Sequence, residues 1–400
     1  MRRLAFLILC ASFLAPAEDA QLANIRGRLL PMRSNQPLGQ NARGAKPALT
    51  TVKHELIAWI ESRLPAMRWN GSRWHPDPIV LQEQLNEELR QAGLFCDAQS
   101  GNACADPNNP LGFLGRVVLD MQRGSVLIVR TSVAVQVCGE DLSAYAYKTD
   151  AEGRWHRFWE SEQNDYQEGK YFPQLFDQVL VSPADFQPKA DRNEHLILTI
   201  GHEPWCTSNW HDVYYRVWQT TSADPAPKLL LNGTQWSYIA DDIRGSVNRT
   251  DVLFEYSTES IEGGLPRPEI RHYELQSGAL VRVDPVALSP RDFTAFWLTH
   301  PWEESSLWTV QESRIALEEW RRRNGGPFDE FAYPTRHCKQ PDLWQVSTRE
   351  SDGEKKRVYF LVRWRPPYRF MMVAAGAQAS PDCTERDLEA DRVRSLFPDQ

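Results

Sequence analysis

Past its first residues the chain lacks any apolar run of the roughly 20 residues needed to cross a bilayer, so no membrane span is expected. It also lacks basic excess. With 45 Lys and Arg against 53 Asp and Glu and no basic stripe, no nucleic-acid partner is expected. No serine sits in a Gly-x-Ser-x-Gly elbow, no glycine-rich phosphate loop is present, and no His-Glu-x-x-His pair occurs. The usual marks of a serine hydrolase, a nucleotide-binding protein and a zinc protease are therefore missing. No cofactor is expected.

The first residues are of a different kind. Met1-Arg-Arg precedes an apolar stretch, Leu4 to Leu14, and Ala15-Pro-Ala17 supplies small residues for cleavage. Residues 1–17 read as a signal peptide, which predicts a secreted or periplasmic protein. Removing Arg2 and Arg3 with that segment takes the formal charge from -8 to -10. Six cysteines then remain: Cys96, Cys104, Cys138, Cys206, Cys338 and Cys383. An even number in an exported chain favours disulfides, although sequence leaves about 15 pairings open. The local choices are Cys96–Cys104, Cys138–Cys206 and Cys338–Cys383.

The centre of the chain carries a repeated layout. The polar segments Asp120-Met-Gln-Arg-Gly, Asp191-Arg-Asn-Glu-His and Ser246-Val-Asn-Arg-Thr precede Ser125-Val-Leu-Ile-Val, Leu196-Ile-Leu-Thr-Ile and Asp251-Val-Leu-Phe-Glu-Tyr. These runs are short and rich in β-branched residues, so they predict strands. A strand bearing a tyrosine follows each, with 27 residues from Asp120 to Tyr147, 24 from Asp191 to Tyr215 and 27 from Ser246 to Tyr273. A closing strand comes next, at Arg154-Trp-His-Arg-Phe-Trp, Lys228-Leu-Leu-Leu and Leu280-Val-Arg-Val. One antiparallel meander cannot bury both its faces, so such units must stack.

Over residues 113–285 this turn-then-strand pattern resembles the blade repeats of integrin-alpha-like β-propellers. The resemblance implies a propeller-like architecture. It does not extend to calcium. Arg192, His195, Arg249 and Thr250 fill loop positions where such a cation would need about six to eight oxygen ligands. The expected fold is mainly β: stacked antiparallel meander (blade-like) units in a partial β-propeller or a β-sandwich, with an N-terminal helical pair and one helix before the last sheet.

Around this core, residues 18–48 are rich in Gln, Asn, Arg, Pro and Gly and read as a flexible leader. Residues 49–112 read as a helical section. One helix runs from Thr50 to Leu64. A second has Asp77 as N-cap, Pro78 at its first position, Leu81, Leu85 and Leu89 on one face, and Gly93 past its end. Residues 113–290 form the three β units. Residues 291–400 hold a helix from Ser306 to Arg323 with a stripe of Leu307, Val310, Leu317 and Trp320, then a C-terminal β section and a charged tail. Arg321, Arg322 and Arg323 there oppose the negative end of the helix dipole.

The densest group of reactive side chains is His202-Glu-Pro-Trp-Cys206-Thr-Ser-Asn-Trp-His211-Asp. His202, Cys206 and His211 are zinc-ligand types, but their spacing matches no zinc signature and an exported Cys206 is more simply bridged, so no metal is expected. No group is nominated as catalytic. Trp205, Trp210 and Tyr215, with His202 and His211, are the candidate binding residues, because exposed aromatic faces suit sugar rings and peptide side chains. Core filling between sheets is the simpler role for tryptophans at recurring positions. The expected function is a non-catalytic binding or interaction module for a glycan, a peptide or an envelope protein. The alternative is an extracytoplasmic hydrolase, metal-assisted or not, centred on the His202–His211 loop.

Overall fold

The structure is a computed structural model describing residues 19–33, 42–96, 112–123, 125–136, 139–162, 175–183, 194–202, 209–221, 226–238, 243–259, 261, 266–324, 328–350, 357–366 and 368–387. The chain divides into two units, Met1–Phe172 and Pro173–Gln400. The signal-peptide residues, Trp205, Cys104, Cys138 and Cys206 lie outside the described residues. Among the described cysteines, Cys96 is disulfide-bonded and Cys338 is bridged to Cys383 as expected. No helix of the described residues is long and apolar enough to cross a membrane.

In the first unit, helices α1 (Ala20–Leu29), α2 (Ala42–Arg63) and α3 (Pro78–Gln91) share a core with a four-stranded antiparallel sheet. Its strands are β3 (Val118–Gln122), β4 (Val126–Gln136), β5 (Gly139–Thr149) and β6 (Trp155–Glu162), in sequential order. A small ribbon, β1 (Arg68–Trp69) with β2 (Trp74–His75), joins α2 to α3. Helix α3 begins and ends as its residues dictate. Asp77 accepts from the Ile79 amide at 2.9 Å, Pro78 occupies a position that needs no donor, and Gly93 leaves the helix at φ +69°.

The polar side of α3 completes the sheet edge. Asn86 Nδ2 donates to the Val117 carbonyl at 2.9 Å, and the Val117 amide donates back to Asn86 Oδ1 at 2.9 Å. The Leu119 amide donates to Gln82 Oε1 at 2.8 Å. Groups on the edge of β3 are thus paired by side chains rather than left open to another strand.

Residues 20–33, expected within a flexible leader, are instead helical. Asp19 caps α1 by accepting from the Gln21 amide at 2.9 Å, and Leu22, Ile25 and Leu29 are buried. That stripe is real but diluted by Gln, Asn and Arg on the outer side, which is why composition alone reads as disorder.

Among the described residues, the second unit holds three more antiparallel sheets. One is β7 (Leu175–Val181), β8 (His195–His202), β9 (Trp210–Thr220) and β10 (Lys228–Tyr238). The next is β11 (Arg244–Val247), β12 (Asp251–Glu259), β13 (Pro266–Gln276) and β14 (Ala279–Val283). The last is β15 (Phe328–Cys338), β16 (Leu343–Glu350), β17 (Arg357–Arg365) and β18 (Arg369–Gly376), with β19 (Cys383–Arg386) added beside β15. Helices α4 (Pro290–Thr299), α5 (Trp302–Ser305) and α6 (Arg314–Asn324) precede that last sheet. The protein is mainly β and built of blade-like four-stranded meanders.

Tyr147, Tyr215 and Tyr273 all fall on the third strand of their sheets, and all are buried. Tyr147 pairs with Leu127, the second residue of β4, and Tyr273 with Val252, the second residue of β12. Tyr215 pairs with Ile200, four residues further along β8 than its counterpart would be. An even shift keeps the same face, so the repeat holds at the level of strand and face while the register slides.

The helix expected from Ser306 to Arg323 is broken. Ser306–Trp308 and Gln311–Ser313 are single 3-10 turns, and α6 begins only at Arg314. Between the turns, Thr309 bridges Met372 and the Val310 amide donates to the Met372 carbonyl at 3.0 Å. The backbone leaves the helix to satisfy the edge of β18, and Leu307, placed on the buried stripe by its spacing, is 55% exposed. Arg321 does more than oppose a dipole. It donates to the carbonyls of Leu298 at 3.2 Å and His300 at 2.7 Å, tying α6 to the end of α4.

Candidate functional site

The residues singled out from sequence do not form one surface. On β9, His211, Val213 and Tyr215 alternate onto the buried face, and His202, paired with Val213, joins them there. Trp210 projects to the other side, its ring 5.2 Å from Tyr238. Tyr215 is 6% exposed and packs 4.6 Å from the Phe254 ring, so it fills the core instead of presenting a binding face. Glu203 and Trp205 lie outside the described residues.

A groove of about 760 Å³ opens in the first unit. Its wall is built where β1–β2, the end of α2 and the β5–β6 hairpin come together, and it is lined by Glu61, Arg68, Trp69, Trp74, Tyr147, Glu152, Arg154, Trp155, His156 and Arg157 among others. The β1–β2 register sets Trp69 opposite Trp74, their rings 5.5 Å apart and edge to face. Trp74 continues to Trp155 at 4.8 Å with a 35° tilt. Trp155 Nε1 donates to the Met67 carbonyl at 3.4 Å, which fixes the ring, and Trp69 at the outer end is 51% exposed. The result is a run of three indoles, rigid at one end and open at the other.

Polar groups are set around that run. Tyr147 donates to Glu61 Oε1 at 2.9 Å, and Arg157 approaches the same oxygen at 3.6 Å. Burial first, then the Glu61 charge, pushes the Tyr147 phenol well above its usual range, so it stays a donor. In the hairpin turn Asp150 meets His156 at 2.7 Å and Arg154 Nε at 2.8 Å. The hydrogen bond with His156, aided by the Arg154 backbone and side chain, holds Asp150 well below the usual carboxylate range. The His156 and Arg154 side chains are thereby anchored at the rim of the groove.

From sequence, Trp155 is placed only in a closing strand and is not joined to Trp69 or Trp74. The available signal was their flanking composition: all three sit among exposed polar residues, not in apolar runs.

A second polar group, in the other unit, is closed. Glu269 is fully buried and lies 2.8 Å from Arg271, 3.0 Å from His300 Nε2 and 3.4 Å from Arg267. Tyr256 donates to it at 2.7 Å. Burial pulls the Glu269 carboxyl upward, but the charges of Arg271, His300 and Arg267 outweigh it and hold the group well below its ordinary value. Arg271 also reaches Glu304 at 2.9 Å, and Arg282 pairs with the same carboxylate. Burial, with Arg271 nearby, brings Arg282 down to about 10. With Glu269 and Tyr256 both sealed, this network organises the interior of the β11–β14 sheet and α4.

No family model and no curated protein matches the chain. A solved structure described as "Glycoside hydrolase" aligns over 72% of this chain and 91% of its own at 11% identity, with a TM-score of 0.23, too low to show a common fold.

Proposed function

We propose that this protein is an exported, non-catalytic recognition module that binds a saccharide chain in the groove between Trp69 and Trp155, with the buried Trp74 packed behind both rings. The observation that carries the proposal is the continuity of the three-indole run within one groove, ending in a half-exposed indole. A pyranose ring has an apolar C–H face that stacks on an aromatic plane and a rim of hydroxyls that seeks charged and amide partners. The groove offers both, with Glu61, Arg154, His156 and Arg157 beside the indoles. Export is supported by the pattern of residues 1–17 and by the Cys338–Cys383 bridge, a bond that persists in oxidising compartments.

The test is binding of the purified protein to a glycan array, followed by titration of the best ligand by tryptophan fluorescence. Saturable binding is expected, weakened about tenfold or more by Trp69→Ala and by Trp155→Ala, which corresponds to about 1.4 kcal/mol. Trp236→Ala, at an exposed tryptophan of β10, is expected to leave it unchanged. An array without binding, or full affinity in Trp69→Ala, whose exposed ring can be removed without opening the core, would overturn the proposal.

A further inference from the structure

On the outward face of the β11–β14 sheet three metal-ligand side chains converge. Asp251 on β12 and Glu274 on β13 are direct cross-strand partners, and His272 lies two residues before Glu274, so all three project to one side. The opposite face of the same strands carries the buried Val252, Phe254, Tyr256 and Tyr273. One ligand atom from each of Asp251, His272 and Glu274 lies within 4.8 Å of the others, and all three residues are partly accessible.

The hydrogen bonds around them fix which atoms face inward. His272 Nδ1 is 2.7 Å from the Asp284 carbonyl oxygen. A carbonyl can only accept, so Nδ1 carries the hydrogen and donates. The other ring nitrogen, Nε2, points away from that carbonyl and stands 3.3 Å from Asp251 Oδ1. That separation, with the Glu274 carboxylate beside it, matches two ligand atoms each about 2.0–2.1 Å from one tetrahedral metal ion. The carboxylates are themselves held from outside the group. Thr250 Oγ1 donates to Asp251 Oδ2 at 2.8 Å, leaving Oδ1 toward the imidazole, and Gln276 Nε2 donates to Glu274 Oε2 at 3.1 Å. An imidazole whose far nitrogen is spent on a backbone carbonyl, beside carboxylates with their own donors, is the outer-shell arrangement of a metal ligand set.

We propose that Asp251 Oδ1, His272 Nε2 and a carboxylate oxygen of Glu274 form a binding site for a divalent transition metal, with Zn²⁺ the best fit. One imidazole nitrogen and two carboxylate oxygens suit zinc, and three protein ligands leave a fourth position open to water or to an exogenous ligand. The set does not suit Ca²⁺, which takes about six to eight oxygens. The site is separate from the groove of the first unit and stands without it.

The experiment uses the purified protein with its disulfides intact, stripped with a chelator and titrated with ZnCl₂ by calorimetry and by competition with a chromogenic chelator. One zinc per chain is expected, at micromolar affinity or tighter. His272→Gln and Asp251→Asn are each expected to weaken it about tenfold or more, with the fold of both checked by circular dichroism. Glu255→Gln, on the same face but outside the cluster, is expected to change nothing. Co²⁺ in place of zinc should give a visible d–d spectrum that disappears in His272→Gln. Absence of stoichiometric zinc binding would overturn the proposal. Binding that survives both substitutions would overturn it too, by placing the metal elsewhere.

Discussion

The ring of Tyr215 on β9 lies over Gly233, its cross-strand partner on the edge strand β10. A β-carbon at 233 would overlap the ring, so the glycine is what lets the tyrosine lie down against its own sheet and reach Phe254. Gly233→Ala is expected to displace Tyr215 and cost about 1–3 kcal/mol, read from urea denaturation. An unchanged midpoint would show that the ring moves aside freely.

Glu269 is the centre of the buried charge network, and Glu269→Gln leaves Arg271 and Arg267 short of their anion. Removing one partner of a buried ion pair is expected to cost about 3–5 kcal/mol at neutral pH. The pH dependence has a defined sign. Because the folded protein holds this carboxyl below its unfolded value of about 4.3, its contribution is fully present above that value and is lost as pH falls through the folded-state value. The stability gap between the parent and Glu269→Gln should therefore narrow below about pH 4. A gap that stays constant through acid would contradict this assignment.

Lys53 on α2 and Asp141 on β5 form a buried ion pair at 3.3 Å. Burial pushes the Asp141 carboxyl up to about 7 despite the lysine. The folded state then binds a proton that the unfolded chain releases near pH 4, so this pair makes stability fall as pH rises from about 4 to about 7. Asp141→Leu alone is expected to cost about 3–5 kcal/mol, whereas Lys53→Met with Asp141→Leu should be neutral or up to about 4 kcal/mol more stable. Thermal midpoints across that pH range separate the two outcomes.

Cys338 and Cys383 join β15 to the added strand β19 across 45 residues of sequence. Opening that loop by Cys338→Ala with Cys383→Ala is expected to lower stability by about 2–4 kcal/mol. Denaturation of the variant beside the parent measures this. Equal stability would mean that the Lys339–Asp382 ion pair and the Trp344–Asp387 hydrogen bond suffice to hold the strand.

What was legible in the sequence was what local chemistry decides. Asp77-Pro78 and Gly93 mark the ends of α3 because a cap, a missing donor and a positive φ act over a few residues. The meanders were legible because short β-branched runs at regular intervals have few other ways to bury one face. The first strand of each unit was not. Asp120 to Gln122 and Ser246 with Val247 read as turn residues, yet they lie in β3 and β11, where pairing with the next strand overrides their polarity.

By itself, then, the sequence determined the fold class, the caps and the short-range phase of the tyrosines, all set by interactions that span one turn or one hairpin. Only the tertiary structure decided that Trp69, Trp74 and Trp155 form one run, that Tyr215 is core, and that Asp251 meets His272 and Glu274. Those groupings join residues up to 86 positions apart in the chain, and strand register, which a one-residue slip would reverse, determines which side chains share a face.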